Sequence, residues 1–442
     1  MASAAVSILL LTCGLALSKP RIGEIRIEKG MAGILGALLT ILVGGISYPQ
    51  LGQTLVFLFR PVATIVGLMA LTLIAEQSGL FRRLAFWMAK SAGGSGTRLF
   101  TYIFILGTCT GTVFTNDTTV LIFTPLVWRL IEDVKDDSWT DKSKIPFYFA
   151  VLYVANLVGA LVISNPINIV IANLFSISFF GYARWMFLPA VFSMIVTYAG
   201  LRFFFRGQLP KSYSMEKLKS SPDEPGAIKA QKISAVVLGF ILIGFSLANR
   251  FEIPFWVIAV SGAVIAGLAT YPTKAISYPR VVKGIGWDVL VFMVGMFVIA
   301  VGLRNAGLMA VLQRALIGLG GESLHGLSVA VAFLSGAMSS IINNHPTIDI
   351  MGLTIQDMTF AAGSAMRTKK ILAMSALIGG DLGPKMLPIG SLAAMLWFRL
   401  LADKGVVIPY RQYIKIGIPV TLAAILVSVV VLLIEVKFAN FM

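Results

Sequence analysis

Asn156, Asn165, Asn168, Asn343 and Asn344 each interrupt a long apolar stretch of this 442-residue chain. Asp117, within Thr115-Asn116-Asp117-Thr118, His345, before Pro346-Thr347, and Asp381, with Lys385 four residues on, stand at the same interruptions. Carboxamides and hydroxyls both donate and accept hydrogen bonds, so grouped they can surround a small polar solute or a cation. A carboxylate, imidazole or amine beside them can carry a proton, and ionisable groups at membrane depth are costly and usually functional. Each also has a purely structural reading. Asp117 can serve as a helix cap, Asp381 and Lys385 as a mutually neutralising buried pair, and His345 as a hydrogen-bonding residue in a tip. Local capping explains any two of the amides more readily than all five. Glu76, Asp288 and Asp349 fall nearer span ends or hairpin shoulders and are not expected to touch a solute.

The surroundings of these residues are membrane-like. The chain is 57% hydrophobic and 13% charged, with a mean hydropathy of +0.87, whereas soluble proteins are about one quarter charged. Runs of about 17–25 apolar residues cross a bilayer as helices. Ten such spans are predicted, at 3–18, 30–46, 54–76, 145–177, 185–201, 233–248, 254–271, 287–303, 371–398 and 416–434. Two further segments, 99–131 and 324–356, are broken by polar tips and read as re-entrant hairpins of two half-length helices. The first run has no charge before Lys19 and is read as a retained helix rather than a signal peptide.

The formal charge of +16 would suggest nucleic acid on a soluble protein. With this topology, however, 25 Lys and Arg residues fall on one face and 8 on the other. That bias marks the richer face as cytoplasmic and puts both termini outside, so no nucleic-acid partner is expected.

The two halves repeat. Ser78-Gly79-Leu80 corresponds to Ala306-Gly307-Leu308, and a polar tip follows 37 residues after each glycine. Asn156-Leu157-Val158-Gly159 and Asn165-Pro166-Ile167-Asn168 pair with Asp381-Leu382-Gly383-Pro384 and Leu387-Pro388-Ile389-Gly390. The predicted class is an all-α polytopic membrane protein of two inverted repeats with re-entrant hairpins and discontinuous helices. Residues 1–205 form the first repeat, 206–232 a cytoplasmic linker rich in Pro, Ser and Lys, and 233–442 the second repeat.

Backbone that leaves the helix inside hydrocarbon must line a cavity or be buried in protein. Asn116, Asp117 and Thr118 look like N-caps for the helix that follows, and Asn344 and Asn165 like caps before first-turn prolines. Opposed half-helix ends would then form a polar cage. Other chemistries lack residues. Cys13 and Cys109 cannot make a thiolate metal site, and no P-loop, H-E-x-x-H or G-x-S-x-G motif occurs. No enzyme activity, metal or cofactor is expected.

Thr115-Asn116-Asp117-Thr118-Thr119-Val120-Leu121-Ile122-Phe123-Thr124-Pro125 resembles the first hairpin of the ion transporter superfamily. Asn343-Asn344-His345-Pro346-Thr347, Gly380-Asp381-Leu382-Gly383-Pro384-Lys385 and Pro388-Ile389-Gly390-Ser391-Leu392-Ala393 are similar to the ArsB arsenite/antimonite efflux permease family. The likeness covers most of the chain and is strongest over 337–418. It implies proton-driven export of trivalent arsenic and antimony hydroxides from a bacterial inner membrane, sometimes alongside a soluble arsenite-stimulated ATPase subunit. One departure is His345, where the family pattern has an apolar residue, usually leucine.

The expected substrate contacts are Asn116, Thr118, Asn156, Asn165, Asn168, Asn343, Asn344, His345, Thr347 and Ser391. Asp117 is the expected proton carrier, with Asp381 and Lys385 as a second titratable element. The rivals are a Na+/H+ antiporter or sodium-coupled anion carrier of the same superfamily, and a passive channel for polar solutes.

Overall fold

The computed structural model describes residues 1–22, 24–114, 116–135, 139–215, 225–361, 363 and 365–438, apart from the side chains at 22, 25, 116–118, 225 and 392. Helix dominates, and the described strands are one two-residue pair, β1 (Arg21–Ile22) and β2 (Ile25–Arg26). The first half runs α1 (Ala2–Ser18), α2 (Lys29–Leu42), α3 (Tyr48–Gln77), α4 (Leu80–Ser91), α5 (Gly96–Val113), α6 (Asn116–Val134), α7 (Asp141–Val154), a 3-10 turn (Val162–Ser164), α8 (Pro166–Leu174) and α9 (Phe179–Phe204). The second runs α10 (Pro225–Leu247), α11 (Phe255–Thr270), α12 (Tyr278–Gly284), α13 (Trp287–Asn305), α14 (Leu308–Gly320), α15 (Leu324–Ile342), α16 (Asn344–Asp357), α17 (Ala365–Leu382), a 3-10 turn (Gly383–Lys385), α18 (Leu392–Ala402) and α19 (Tyr410–Phe438).

The order of elements repeats, and so does the geometry at the joints. Gly79 between α3 and α4 has φ +83°, and Gly307 between α13 and α14 has φ +84°. Only glycine enters that left-handed region without a steric cost, so the same residue recurs at the same corner. Packing is exchanged between the halves: α2 lies on α13 while α11 lies on α3, and α6 lies on α18 while α16 lies on α8. The second half thus repeats the order of a hairpin followed by a broken helix: α15, α16 and α17–α18 correspond to α5, α6 and α7–α8.

Three features depart from the expected spans. Among the described residues, seven helices are long and apolar enough to cross a membrane, rather than ten. The difference arises because α1 and α2 have only 17 and 14 residues, and the two broken helices occur in pieces. The hairpin arm α15 is itself among the seven. The arms are not half-length: α5, α6, α15 and α16 have 18, 19, 19 and 14 residues. Their polar flanks, such as Gly96-Thr97-Arg98 and Arg129 to Asp133, stay helical beyond the apolar run. Finally, α4, α12 and α14 were not anticipated. Helix α4 buries Phe81, Ala85, Met88 and Ala89, a one-sided stripe too short to register as a span.

The linker is also smaller than 206–232. Helix α10 already starts at Pro225, and the segment before 216 is fastened to the open end of the first hairpin. Tyr213 N donates to Gly94 O at 2.9 Å, Ser214 N to Val134 O at 3.0 Å, and Trp139 Nε1 to Ser212 O at 3.0 Å.

Candidate functional site

The interrupted segments converge where the two halves meet. Asn165 is the N-cap of α8, with Pro166 in its first turn as expected. Its Oδ1 accepts from Ile167 N at 3.4 Å, which leaves its Nδ2 to donate across the halves to Asp381 Oδ1 at 2.6 Å. Gly159 N donates to the other carboxylate oxygen of Asp381 at 3.1 Å. A Cβ at 159 would lie 2.2 Å from Ser164 Oγ and 2.5 Å from Asn168 Nδ2, so only glycine lets the broken segment fold tightly enough to reach Asp381. Asn168 Nδ2 donates to Ser164 Oγ at 3.3 Å, and its Oδ1 has no hydrogen-bond partner.

The second tip is capped one residue earlier than expected. Asn343, not Asn344, is the N-cap of α16, and its Oδ1 accepts from His345 N at 3.3 Å. Its φ of +79° is uncommon for a residue other than glycine, and such backbone concentrates at ligand sites. Thr347 Oγ1 donates to Asn343 O at 2.8 Å, closing the tip. At the second break Ser391 Oγ caps α18 by accepting from Ala394 N at 2.9 Å.

Between these ends lies a small, partly enclosed cavity. Asn156, Asn165, Asn343, Asn344, His345 and Ser391 all line it, so six of the expected contacts come together. Asn168 and Thr347 are fully buried but do not line it. The expected contacts Asn116 and Thr118 and the expected proton carrier Asp117 have side chains outside the described residues. Thr115 at the same tip lies outside them altogether.

Asp381 and Lys385 are not within ion-pair distance of each other, although each lies in the other's field. The chain leaves α17 at Leu382 for a 3-10 turn, which breaks the four-residue helical register between them. Asp381 instead takes its partners from the other half. Lys385, 1% exposed, has no hydrogen-bond partner for Nζ, which lies 5.1 Å from the centroid of the Tyr153 ring. An aromatic wall stands behind that tyrosine, with Phe149 rings 5.4 Å from Trp397 and 6.3 Å from Tyr413.

Sequence reasoning missed Lys29 and Phe292, which line the same cavity. In sequence Lys29 falls among the basic residues of the richer face, just ahead of an apolar run. It is in fact the first residue of α2 and only 3% exposed. No signal in the sequence marks it, because the apolar run 30–46 that follows is long enough to read as a span. Asp288 does not line the cavity, but its Oδ1 accepts from Gly30 N at 2.5 Å and so holds the start of α2 against α13. Asp349 is buried in α16 outside the lining, with no hydrogen-bond partner for Oδ2. In the connection before α2, Glu28 is bonded by Lys19 at 2.7 Å, and that hydrogen bond holds its carboxyl below the ordinary glutamate value.

Two solved transporters share this fold. The Alcanivorax borkumensis YdaH transporter matches with a TM-score of 0.59 at 14% identity, covering 99% of this chain and 97% of its own. Neisseria gonorrhoeae MtrF, described as one of a class of antimetabolite efflux pumps, matches with 0.53 at 12% identity over 98% and 94%. Broken helices and a hairpin tip around a polar cavity, together with seven described helices long and apolar enough to cross a bilayer, define a multi-pass membrane protein. The family follows from the sequence. The ArsB family model, arsenical pump membrane protein, matches residues 4–436. The arsenical pump membrane protein of Escherichia coli (strain K12) is 31% identical over 433 residues, 98% of each chain. A putative arsenical pump membrane protein of Bacillus subtilis (strain 168) is 26% identical over 89% of this chain and 92% of its own. The chain belongs to the ArsB family of arsenical pump membrane proteins.

Proposed function

We propose that this chain exports arsenite and antimonite as trivalent hydroxides in exchange for protons. The supporting observation is the lining of the cavity. Arsenous acid is mostly an uncharged trihydroxide at neutral pH, and a cage of carboxamides, a serine hydroxyl and an imidazole can both donate to and accept from three hydroxyls. Cys13 is buried in α1 and Cys109 is exposed on α5, so neither is placed to trap the metalloid by sulfur. Asp381 lies directly behind Asn165 and is the proposed proton-linked element. Protonation removes the charge that holds Asn165 and Gly159, and so loosens one half from the other. Lys385 and Asp117 remain proposed partners in proton movement. On this reading the protein sits in a bacterial inner membrane with both termini outside, and a soluble ATPase subunit is a further proposed partner.

The Na+/H+ reading fits the lining less well, because its described residues include a lysine and no carboxylate. Everted membrane vesicles with an imposed pH gradient, offered arsenite, antimonite and sodium in turn, test the choice. Uptake of both metalloids that collapses with the gradient is expected. Uptake of sodium but neither metalloid would overturn the proposal.

A further inference from the structure

Arg304 and Asp357 fasten the open end of the second hairpin. Arg304, the last residue but one of α13, donates from Nε to Asp357 Oδ2 at 2.8 Å and from Nη2 to Asp357 Oδ1. Its Nη1 donates to Gln356 Oε1 at 3.5 Å. Asp357 is the last residue of α16, so this forked contact ties the hairpin arm to the end of α13. Gln313 Nε2 of α14 holds the same arm by donating to Thr354 O at 3.1 Å.

The repeat puts a second pair at the same two places. The step that takes Gly79 to Gly307 and Asn116 to Asn344 also takes Glu76 to Arg304 and Arg129 to Asp357. Glu76 is likewise the last residue but one of α3, and Arg129 stands as far from the start of α6 as Asp357 does from the start of α16. Both signs are reversed, so the two charges still complement each other. Yet Glu76 and Arg129 are exposed, and neither has an ion-pair partner among the described residues. The packing differs in the same sense: α16 lies along α13, whereas α6 barely touches α3.

An exposed ion pair is worth little and can break, and two of the same kind leave two settings near balance. Resting on the metalloid-export reading, with the halves inverted as the sequence predicts, we propose that the two pairs are alternating latches on opposite faces of the transporter. In this structure Arg304 and Asp357 form the closed latch, and Glu76 and Arg129 the open one. Turning the cavity to the other face breaks the first and brings Arg129 to Glu76.

Cysteine pairs in full-length protein in proteoliposomes read the latches directly. Glu76→Cys with Arg129→Cys, and Arg304→Cys with Asp357→Cys, are treated with a bifunctional thiol reagent as long as an arginine–carboxylate pair. The background is Cys109→Ser, because Cys109 is exposed. Mass spectrometry identifies the linked peptides. Both pairs are expected to link within one chain, although only the second is in contact in this structure. Reversing one charge of the closed latch, Arg304→Glu, is expected to speed the linkage of positions 76 and 129 about threefold or more. Adding Asp357→Arg should return that rate to its starting value. Absence of this linkage while positions 304 and 357 link overturns the proposal, and so does a rate that Arg304→Glu leaves unchanged. Where a cysteine variant fails to fold, Glu76→Arg with Arg129→Glu gives a reading without cysteine. Its arsenite flux should exceed that of either single reversal, and a swap no better than the singles overturns the latch. If wild type itself moves no arsenite, the metalloid reading fails instead, and the linkage rates still decide the latch.

Discussion

Asp381→Asn is expected to reduce proton-driven metalloid export by about a hundredfold or more while leaving a folded protein. The carboxylate is fully buried and accepts from Asn165 Nδ2 at 2.6 Å and Gly159 N at 3.1 Å, both from the other half. An asparagine there keeps the shape, but it offers one acceptor oxygen and places its own NH2 against a donor. A hydrogen bond to a charged group is worth about 1.5–3 kcal/mol, and a buried donor left without a partner costs a similar amount. The contact between the broken helices should therefore weaken, and the proton-linked group is lost. Exchange of arsenite for arsenite, which needs no net proton movement, should survive better than uphill export. Flux assays of both modes, with a thermal melt to verify folding, check this. Wild-type export against a metalloid gradient in Asp381→Asn would remove Asp381 from the coupling.

The second large effect is expected where α15 and α17 meet. A Cβ on Gly379 would lie 2.0 Å from Ala332 O and 2.8 Å from Gly336 N, and one on Gly383 would lie 2.3 Å from Gly336 O. These are backbone atoms, so no rotamer change can relieve the contact. Membrane helices approach this closely only through small residues, and overpacking costs about 1–3 kcal/mol even where the surroundings can yield. Gly379→Ala and Gly383→Ala should separate the second hairpin from the broken helix, lowering the melting temperature and the yield of monodisperse protein. Gly239 on α10 supplies the control, since a Cβ there meets nothing within 4 Å. Gly379→Ala melting like Gly239→Ala would contradict the packing argument.

Much of this arrangement was legible in sequence because membranes leave few alternatives. Polar residues that interrupt apolar runs must be buried or line a cavity, and that rule located Asn156, Asn165, Asn343, Asn344 and His345, now found around one cavity. The family motif added Ser391. What escaped was set by three-dimensional packing. Lys29 reads as a loop charge in one dimension, and only the closeness of α2 and α13 brings it inside. Asp381 and Lys385 look like a pair at helical spacing, but the turn after Leu382 removes that register, and the partners of Asp381 lie 222 and 216 residues away. Asn343 took the cap expected of Asn344 because the tip turns through a positive φ, which residue type alone does not reveal.

The proposed metalloid site is the cavity between the broken helices and the second hairpin tip. Antimony scatters strongly, so a structure determined in antimonite tests this directly. One antimony peak is expected within hydrogen-bonding reach, through its hydroxyls, of Asn165, Asn343 and Ser391. A peak at Cys13 or Cys109 with the cavity empty would contradict it.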